Sequence, residues 1–314
     1  MSQANGSKPI QNNSAPAINL GEAQGLTRQS KQMELAAAIE KFVPDGVESL
    51  AVGGLFMHNN PMALVRELVR QRKHIKRLIT SPAGCINADL LIGAGLVEEI
   101  VTSYVGFEHL GFAPAFTRFA KEGRLKVLEV DELTLILGLR AGGTGQPFAA
   151  LPPGLELSDV SRANPDFYQP VHDPFTGATR LATPAIRPKV ALILCQQADI
   201  YGNAIFKGSV FADRELIFAA EQVILQVEQV IPTRQLTKNP IPVNVPGYAV
   251  SAVVQAAFSA HPTSSHRFYH YDEAHLQEYI QMAATEAGFE AYVQKYFAEG
   301  GETEYIGRTS VIEG

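Results

Sequence analysis

Chemistry in this sequence could come from a few acidic residues, two glycine-rich turns, a run of histidines and one basic cluster. Glu129, Asp131 and Glu132 close a stretch that reads as a strand, and Glu108-His109 follows another. A carboxylate at a strand end can act as base, acid or nucleophile once burial raises its pKa. The competing reading for Asp131 and Glu132 is a helix start, where acids complement the dipole. The glycine turns are Val52-Gly53-Gly54-Leu55-Phe56 and Arg140-Ala141-Gly142-Gly143-Thr144-Gly145. Glycines after a strand let a backbone approach a ligand and can leave amides free for an anion; two tight turns are the plainer reading. His261, His266, His270 and His275 lie close in sequence, as metal ligands can. No carboxylate or Cys stands at a ligand offset, and the interleaved Tyr and Phe favour a packed segment, so no metal is expected. Arg66, Arg70, Arg72, Lys73, His74, Lys76 and Arg77 end a helical stretch. They could dock an anion, but cations at a helix C-terminus need no function, and the solvated helix end is favoured.

Common signatures are missing. There is no G-x-x-x-x-G-K-[ST], no G-x-S-x-G and no H-E-x-x-H. Gly93-Ala94-Gly95 and Gly143-Thr144-Gly145 lack the third glycine of a dinucleotide fingerprint. Cys85 and Cys195, the only cysteines, cannot form a disulfide framework or a Cys-rich zinc site. The net charge of −6 argues against a nucleic-acid binder. No apolar run reaches the ~20 residues of a membrane span, and residues 1–30 lack a signal-peptide core, so a cytoplasmic protein is expected.

The elements that must position these residues alternate. Strands are expected at 49–52, 78–81, 99–105, 125–130, 190–196 and 222–230. Helices are expected at 31–42, 61–73, 114–122, 132–140 and 213–220, with a short helical turn at 87–95. This is the pattern of an open, mainly parallel sheet with flanking helices, an α/β fold. Residues 1–30, rich in Ser, Asn, Gln and Gly, read as a disordered or partner-contacting arm. Residues 31–314 read as one domain, whose residues 245–300 form a C-terminal helical cap with one amphipathic helix at 272–297. Residues 141–183 are rich in Pro and Gly and read as a long irregular segment, of the kind that binds or covers something.

Four segments in this order resemble the A (α) subunit of family I CoA-transferases, especially the glutaconate CoA-transferase type. They are VGGLFMHNNPMALVRELVRQ (52–71), ADLLIGAGLVEEIVTSYVG (88–106), LTLILGLRAGGTGQPF (133–148) and KVALILCQQADIYGNAIFKG (189–208). AHPTSSHRFYHYDEAHLQEYI (260–280) is similar to the extended C-terminus of that branch. The resemblance implies a CoA thioester as substrate, no bound metal, flavin or nicotinamide, and a hetero-oligomer with a B-type subunit. In two-subunit members the nucleophilic glutamate lies on the B subunit, in a Glu-x-Gly setting. Here Glu286-Ala287-Gly288 falls inside an expected helix, so the nucleophile is expected on the partner. Gly53, Gly54, Gly142, Gly143 and Gly145, with Ser103 and Phe107 of the 103–108 strand end, would then shape the acyl-binding half of a shared site. The chain also resembles the A subunit of steroid-ring-cleaving CoA-thioester hydrolases. That resemblance implies a glutamate base on this chain, with Glu132 as its counterpart and Glu108 the second candidate. A non-catalytic structural subunit is the third reading.

Overall fold

The computed structural model describes residues 28–297 and 300–309. Strand and helix alternate through the first half. α1 (Leu35–Phe42), β1 (Val47–Val52), α2 (Met62–Arg70) and β2 (Ile75–Thr80) are followed by β3 (Ala83–Gly84), α3 (Ile86–Gly93) and β4 (Val97–Thr102). Then come β5 (Tyr104–Val105), α4 (Pro114–Lys121), β6 (Lys126–Glu129) and α5 (Glu132–Gly143). An insertion carries β7 (Phe148–Ala150), α6 (Asp159–Ala163), β8 (Gln169–His172) and β9 (Thr179–Pro184). The alternation resumes with β10 (Val190–Ala198), β11 (Ala204–Ile205), α7 (Asp213–Ala219), β12 (Gln222–Val230), α8 (Thr233–Thr237) and β13 (Ala252–Gln255). Three helices close the chain: α9 (Glu273–Ala283), α10 (Glu286–Tyr296) and α11 (Glu302–Gly307).

The main sheet runs in the order β13-β12-β10-β1-β2-β4-β6, with β11 added on β10. All seven strands of that path are parallel. Both faces are covered, so the central strands are apolar throughout rather than alternating; β10 is buried at every residue. Successive side chains still go to opposite layers. Leu50, Val52 and Leu192 join the core under α1–α4 and the C-terminal helices, whereas Ala51, Ala191 and Ile193 join the core under α5 and α7. Because the strands are parallel, the turns after β1, β2, β4, β6, β10 and β12 all emerge at one edge, where open α/β sheets bind ligands.

The sheet and its helices match the expectation; several details do not. Residues 31–33 are extended and pair with β13, Met33 N donating to Val253 O and Val253 N to Lys31 O, so the helix starts at Leu35. The 141–183 segment is ordered as an antiparallel sheet, β7-β9-β8. Apart from a 3-10 turn at Gly247–Ala249, the cap is helical only from Glu273, because 252–255 is the edge strand of the main sheet. The expected single helix is two, broken where Thr285 caps α10 by accepting from Gly288 N at 3.1 Å. The N-terminal arm lies outside the described residues up to position 27. No helix among the described residues is long and apolar enough to cross a membrane.

Candidate functional site

Gly53, Gly54, Ser103, Glu108 and Glu132 each follow a strand at the carboxyl edge of the sheet, but that edge does not use them as the sequence suggests. Gly53 and Gly54 follow β1, and Gly54 has a left-handed φ of +85°. Their amides are not free. Gly53 N donates to Leu192 O and Gly54 N to Oδ1 of Asp213, both at 2.9 Å. A Cβ at Gly53 would overlap the Asp213 carboxylate. Asp213 is buried at the start of α7, and burial pushes its carboxyl up to about 6. Asp89 is its counterpart at the start of α3. It accepts from Phe116 N at 2.6 Å and from Tyr279 Oη at 2.7 Å, and burial raises it to about 6. Sequence reasoning missed both acids, because each lies inside a helix pattern with no motif around it.

Ser103 is half-buried after β4, and its Oγ has no hydrogen-bond partner; neither has the Oγ of Ser81 after β2. Glu108 begins a 3-10 turn, is exposed, and holds φ +50°. Its charge reaches Tyr104 and Cys85, contributing, after burial, to raising both of those groups. Phe107 does not face the edge. It is fully buried against Tyr279, 5.8 Å between ring centroids, and belongs to the core. Glu132 is the exposed first residue of α5, while Asp131 caps that helix through Leu133 N and Thr134 N.

The second glycine run is elsewhere. α5 starts at the carboxyl edge and its twelve residues run back about 18 Å along the sheet. Gly142 and Gly143 are therefore the last helical residues, at the opposite edge. Gly142 packs against the Ile186 carbonyl and Gly143 against the backbone of Phe218 at the end of α7. Gly145, exposed with φ +73°, turns the chain after the helix. Their lack of side chains serves close helix packing and a turn, and nothing brings them near Gly53.

The histidines divide. His261 and His275 meet under the C-terminal helices, with Asp272, their ligand-type atoms within 4.8 Å of one another. His261 is engaged through both nitrogens, with Tyr305 Oη at 2.8 Å and Asp272 Oδ2 at 3.1 Å; His275 Nε2 meets Tyr292 Oη at 2.7 Å. The expected packing against Tyr is present, but Asp272, three residues before His275, does stand beside both histidines, contrary to the sequence expectation that no carboxylate would. His270 is exposed. His266 instead reaches the turn after β1. There Asn59 Nδ2 lies 3.0 Å from its Nδ1, and His58 Nδ1 lies 2.8 Å from Ser264 Oγ. Behind this loop, buried Glu228 at the end of β12 accepts from Tyr269 Oη at 2.5 Å and Ser259 Oγ at 3.2 Å, and burial raises its pKa. The basic cluster is neither a solvated helix end nor an open anion site at its first member. Arg66 is buried, stacked 3.7 Å over Tyr305 and paired with Glu302. Arg70 joins Glu67 and Glu302, and Arg77 joins Glu99.

Residues 32–256, the sheet and its carboxyl edge, match the coenzyme A transferase family. The chain belongs to that family. Among its relatives is the A subunit of the 3-oxoadipate CoA-transferase of Pseudomonas knackmussii, 31% identical over 84% of this chain and 92% of the relative. The IpdA subunit of the cholesterol ring-cleaving hydrolase of Rhodococcus jostii is 32% identical over 89% of this chain and 96% of its own. The crystal structure of glutaconate CoA-transferase from Acidaminococcus fermentans superposes with a TM-score of 0.83, at 26% identity, over 90% of this chain and 94% of that one. The chain spans 59% of the length of a longer relative from Archaeoglobus fulgidus. The family resemblance and the fold class read from the sequence are thereby established.

Proposed function

We propose that this chain is the A subunit of a two-subunit CoA-transferase that moves CoA between carboxylic acids, with a B-type partner supplying the nucleophilic carboxylate. The supporting observation is the use to which the chain puts its own carboxylates. Asp213 and Asp89, the buried acids beside the carboxyl edge, are both committed to backbone amides. Glu286, in the Glu-x-Gly sequence, sits exposed on α10 and pairs with Arg124 at 3.2 Å. None of these three is free to attack, and this reading takes the nucleophile from another chain; the exposed Glu108 belongs to the second reading below. Its oxygen adds to the thioester carbon, the C–S bond breaks, and CoA leaves as thiolate, giving a mixed anhydride. The thiolate then attacks the enzyme-side carbonyl of the anhydride, releasing the first acid and leaving CoA as an enzyme thioester. The acceptor carboxylate reverses these steps. Ser81 and Ser103, with unpartnered hydroxyls at the edge, and the Gly53-Gly54 turn would line this chain's half of the acyl site.

A ring-opening hydrolase is the second reading, favoured by the exposed, left-handed Glu108 at that edge. In it Glu108, rather than Glu132 on its helix start, would activate water. The test uses the chain co-expressed with its B-type partner, a panel of acyl-CoAs, and acetate present or absent, with products followed by mass spectrometry. CoA moving to acetate, with a CoA adduct on a partner glutamate, is the expected result. A water-added, ring-opened product that ignores acetate and is lost in Glu108→Gln would replace the first reading by the second.

A further inference from the structure

Resting on that reading, we infer that the cavity of about 420 Å³ beside His58 receives the oxygen of the acyl thioester, with the His266 imidazole as its neutral hydrogen-bond donor. The cavity is lined by His58, Ser264, His266, Arg267 and Tyr271 among others. The proton on His266 follows from a chain of hydrogen bonds anchored at two backbone amides. Lys207 N donates to Oε1 of Gln196 at 2.8 Å, so the other end of that side chain is its NH2 group. Gln196 Nε2 donates to Oδ1 of Asn59, and so does His266 N, each at 3.1 Å. Asn59 therefore turns its NH2 toward His266 Nδ1, 3.0 Å away. An amide nitrogen has no lone pair to offer, so Nδ1 must accept and the ring proton resides on Nε2.

The ring's position is fixed from behind. Gly208 lies flat against it, and any side chain there would overlap Nδ1 and Cβ. With that edge covered, Nε2 is the free corner; it has no protein partner among the described residues. Arg267, in the cavity lining, and Asn59, which holds the His266 ring, both have left-handed φ, +64° and +56°. Strained backbone of this kind persists where its surroundings over-determine it, and it clusters at functional sites. The charged and titratable neighbours are His58 from the β1 turn, Lys207 from the loop after β11, Arg267, His270 and Tyr271 from the loop of His266 itself, and Glu228 with Tyr269 behind it. Burial first, then His58, hold the imidazole below its ordinary pKa, so it stays neutral at neutral pH. As a carboxylate adds to the thioester carbon, the carbonyl electron pair moves to oxygen. A neutral Nε2–H stabilises that charge without releasing its proton.

The experiment uses the full chain, 15N-labelled at histidine, in complex with its partner. Long-range 15N–1H correlation is expected to show the Nε2–H tautomer at His266, with a shift on addition of succinyl-CoA. With the acyl-CoA that the wild-type complex turns over best, His266→Ala is expected to lower kcat about 100-fold with little change in KM. His266→Gln, which keeps an N–H, should recover part of that loss. In Asn59→Asp the new carboxylate draws the proton to Nδ1, so Nε2–H survives only in the imidazolium and kcat gains an alkaline fall. Gly208→Ala, which displaces the ring and leaves its chemistry intact, should resemble His266→Ala. An Nδ1–H tautomer, an unshifted resonance with succinyl-CoA, or an assembled His266→Ala complex within about twofold of wild-type kcat would overturn the inference. If the wild-type complex transfers no CoA, the functional reading fails by itself, and the tautomer and the succinyl-CoA shift still decide the role of His266.

Discussion

Single residues at the carboxyl edge are held by burial more than by charge pairing. Asp213 shows this most plainly: its carboxyl is raised to about 6 because burial disfavours the ionised form. Its folded pKa therefore lies above the unfolded value. The associated stability is fully present below about pH 4, is lost as pH rises through about 6, and does not return above it. Asp213→Asn keeps an oxygen to accept from Gly54 N and cannot ionise. Its melting temperature should fall less than the wild type's between pH 4 and 7, the remaining slope belonging partly to Asp89; an unchanged slope in thermal melts would exclude this. The glutamates give a second prediction. Glu132→Gln should leave turnover within about twofold, because the side chain is an exposed helix start, and steady-state assay of the assembled complex checks it. The sequence made Glu108 and Glu132 visible because they follow strand patterns. It hid Asp213 and Asp89 because their role is to accept amides from segments 159 and 27 residues away, and no local spacing encodes such a partner.

Among the elements, the strands and the first helices are legible because each is apolar on a period that its neighbours share. β12 spans Gln222–Val230 as read, and α4 starts at Pro114 as read. Elements held by distant partners are not legible. Residues 31–33 carry no strand signal of their own and are extended only because β13 offers an edge. Gly142-Gly143 read as a ligand turn because two adjacent glycines usually break a helix; here α5 keeps them so that it can lie against Ile186 and Phe218. That reverses the expected consequence of mutation. Gly142→Ala should destabilise the chain by roughly 1–3 kcal/mol, since its Cβ would meet the Ile186 carbonyl. The turnover of the folded fraction should be unchanged. Urea melts and active-site-normalised rates would separate the two, and a lost rate at full stability would return these glycines to the site.

For the whole molecule, the C-terminal helices are fastened through neutral imidazoles. Burial lowers His275 to about 3 and also pushes His261 down. A histidine depressed in the fold contributes stability above its unfolded pKa near 6.5, lost as pH falls towards the folded value. Asp272, lowered to about 2 first by the His261 hydrogen bond, adds a loss at still lower pH. The α9–α11 layer should therefore loosen under mild acid before the sheet does. Hydrogen exchange, corrected for the slower intrinsic rate in acid, should show lower protection factors in 273–297 and 300–307 at pH 5 than at neutral pH, with β10 and β12 still protected. His275→Phe, which removes the titration, should reduce that difference; equal protection of both regions at both pH values would refute the prediction.

The order of strands in the sheet has a consequence for the chain during synthesis. β1 is made first yet lies at the centre, with β2 on one flank and β10 on the other. β2, β4 and β6 follow it closely from the ribosome, but its second flank waits for the register Leu50–Val190. Until β10 emerges, the nascent protein carries a half-sheet with an open apolar edge, Leu50 to Val52, able to pair with any other extended chain. Slowed elongation across the insertion would prolong that interval, so the same protein made with slow codons between positions 141 and 189 should depend more on chaperones that bind exposed strands.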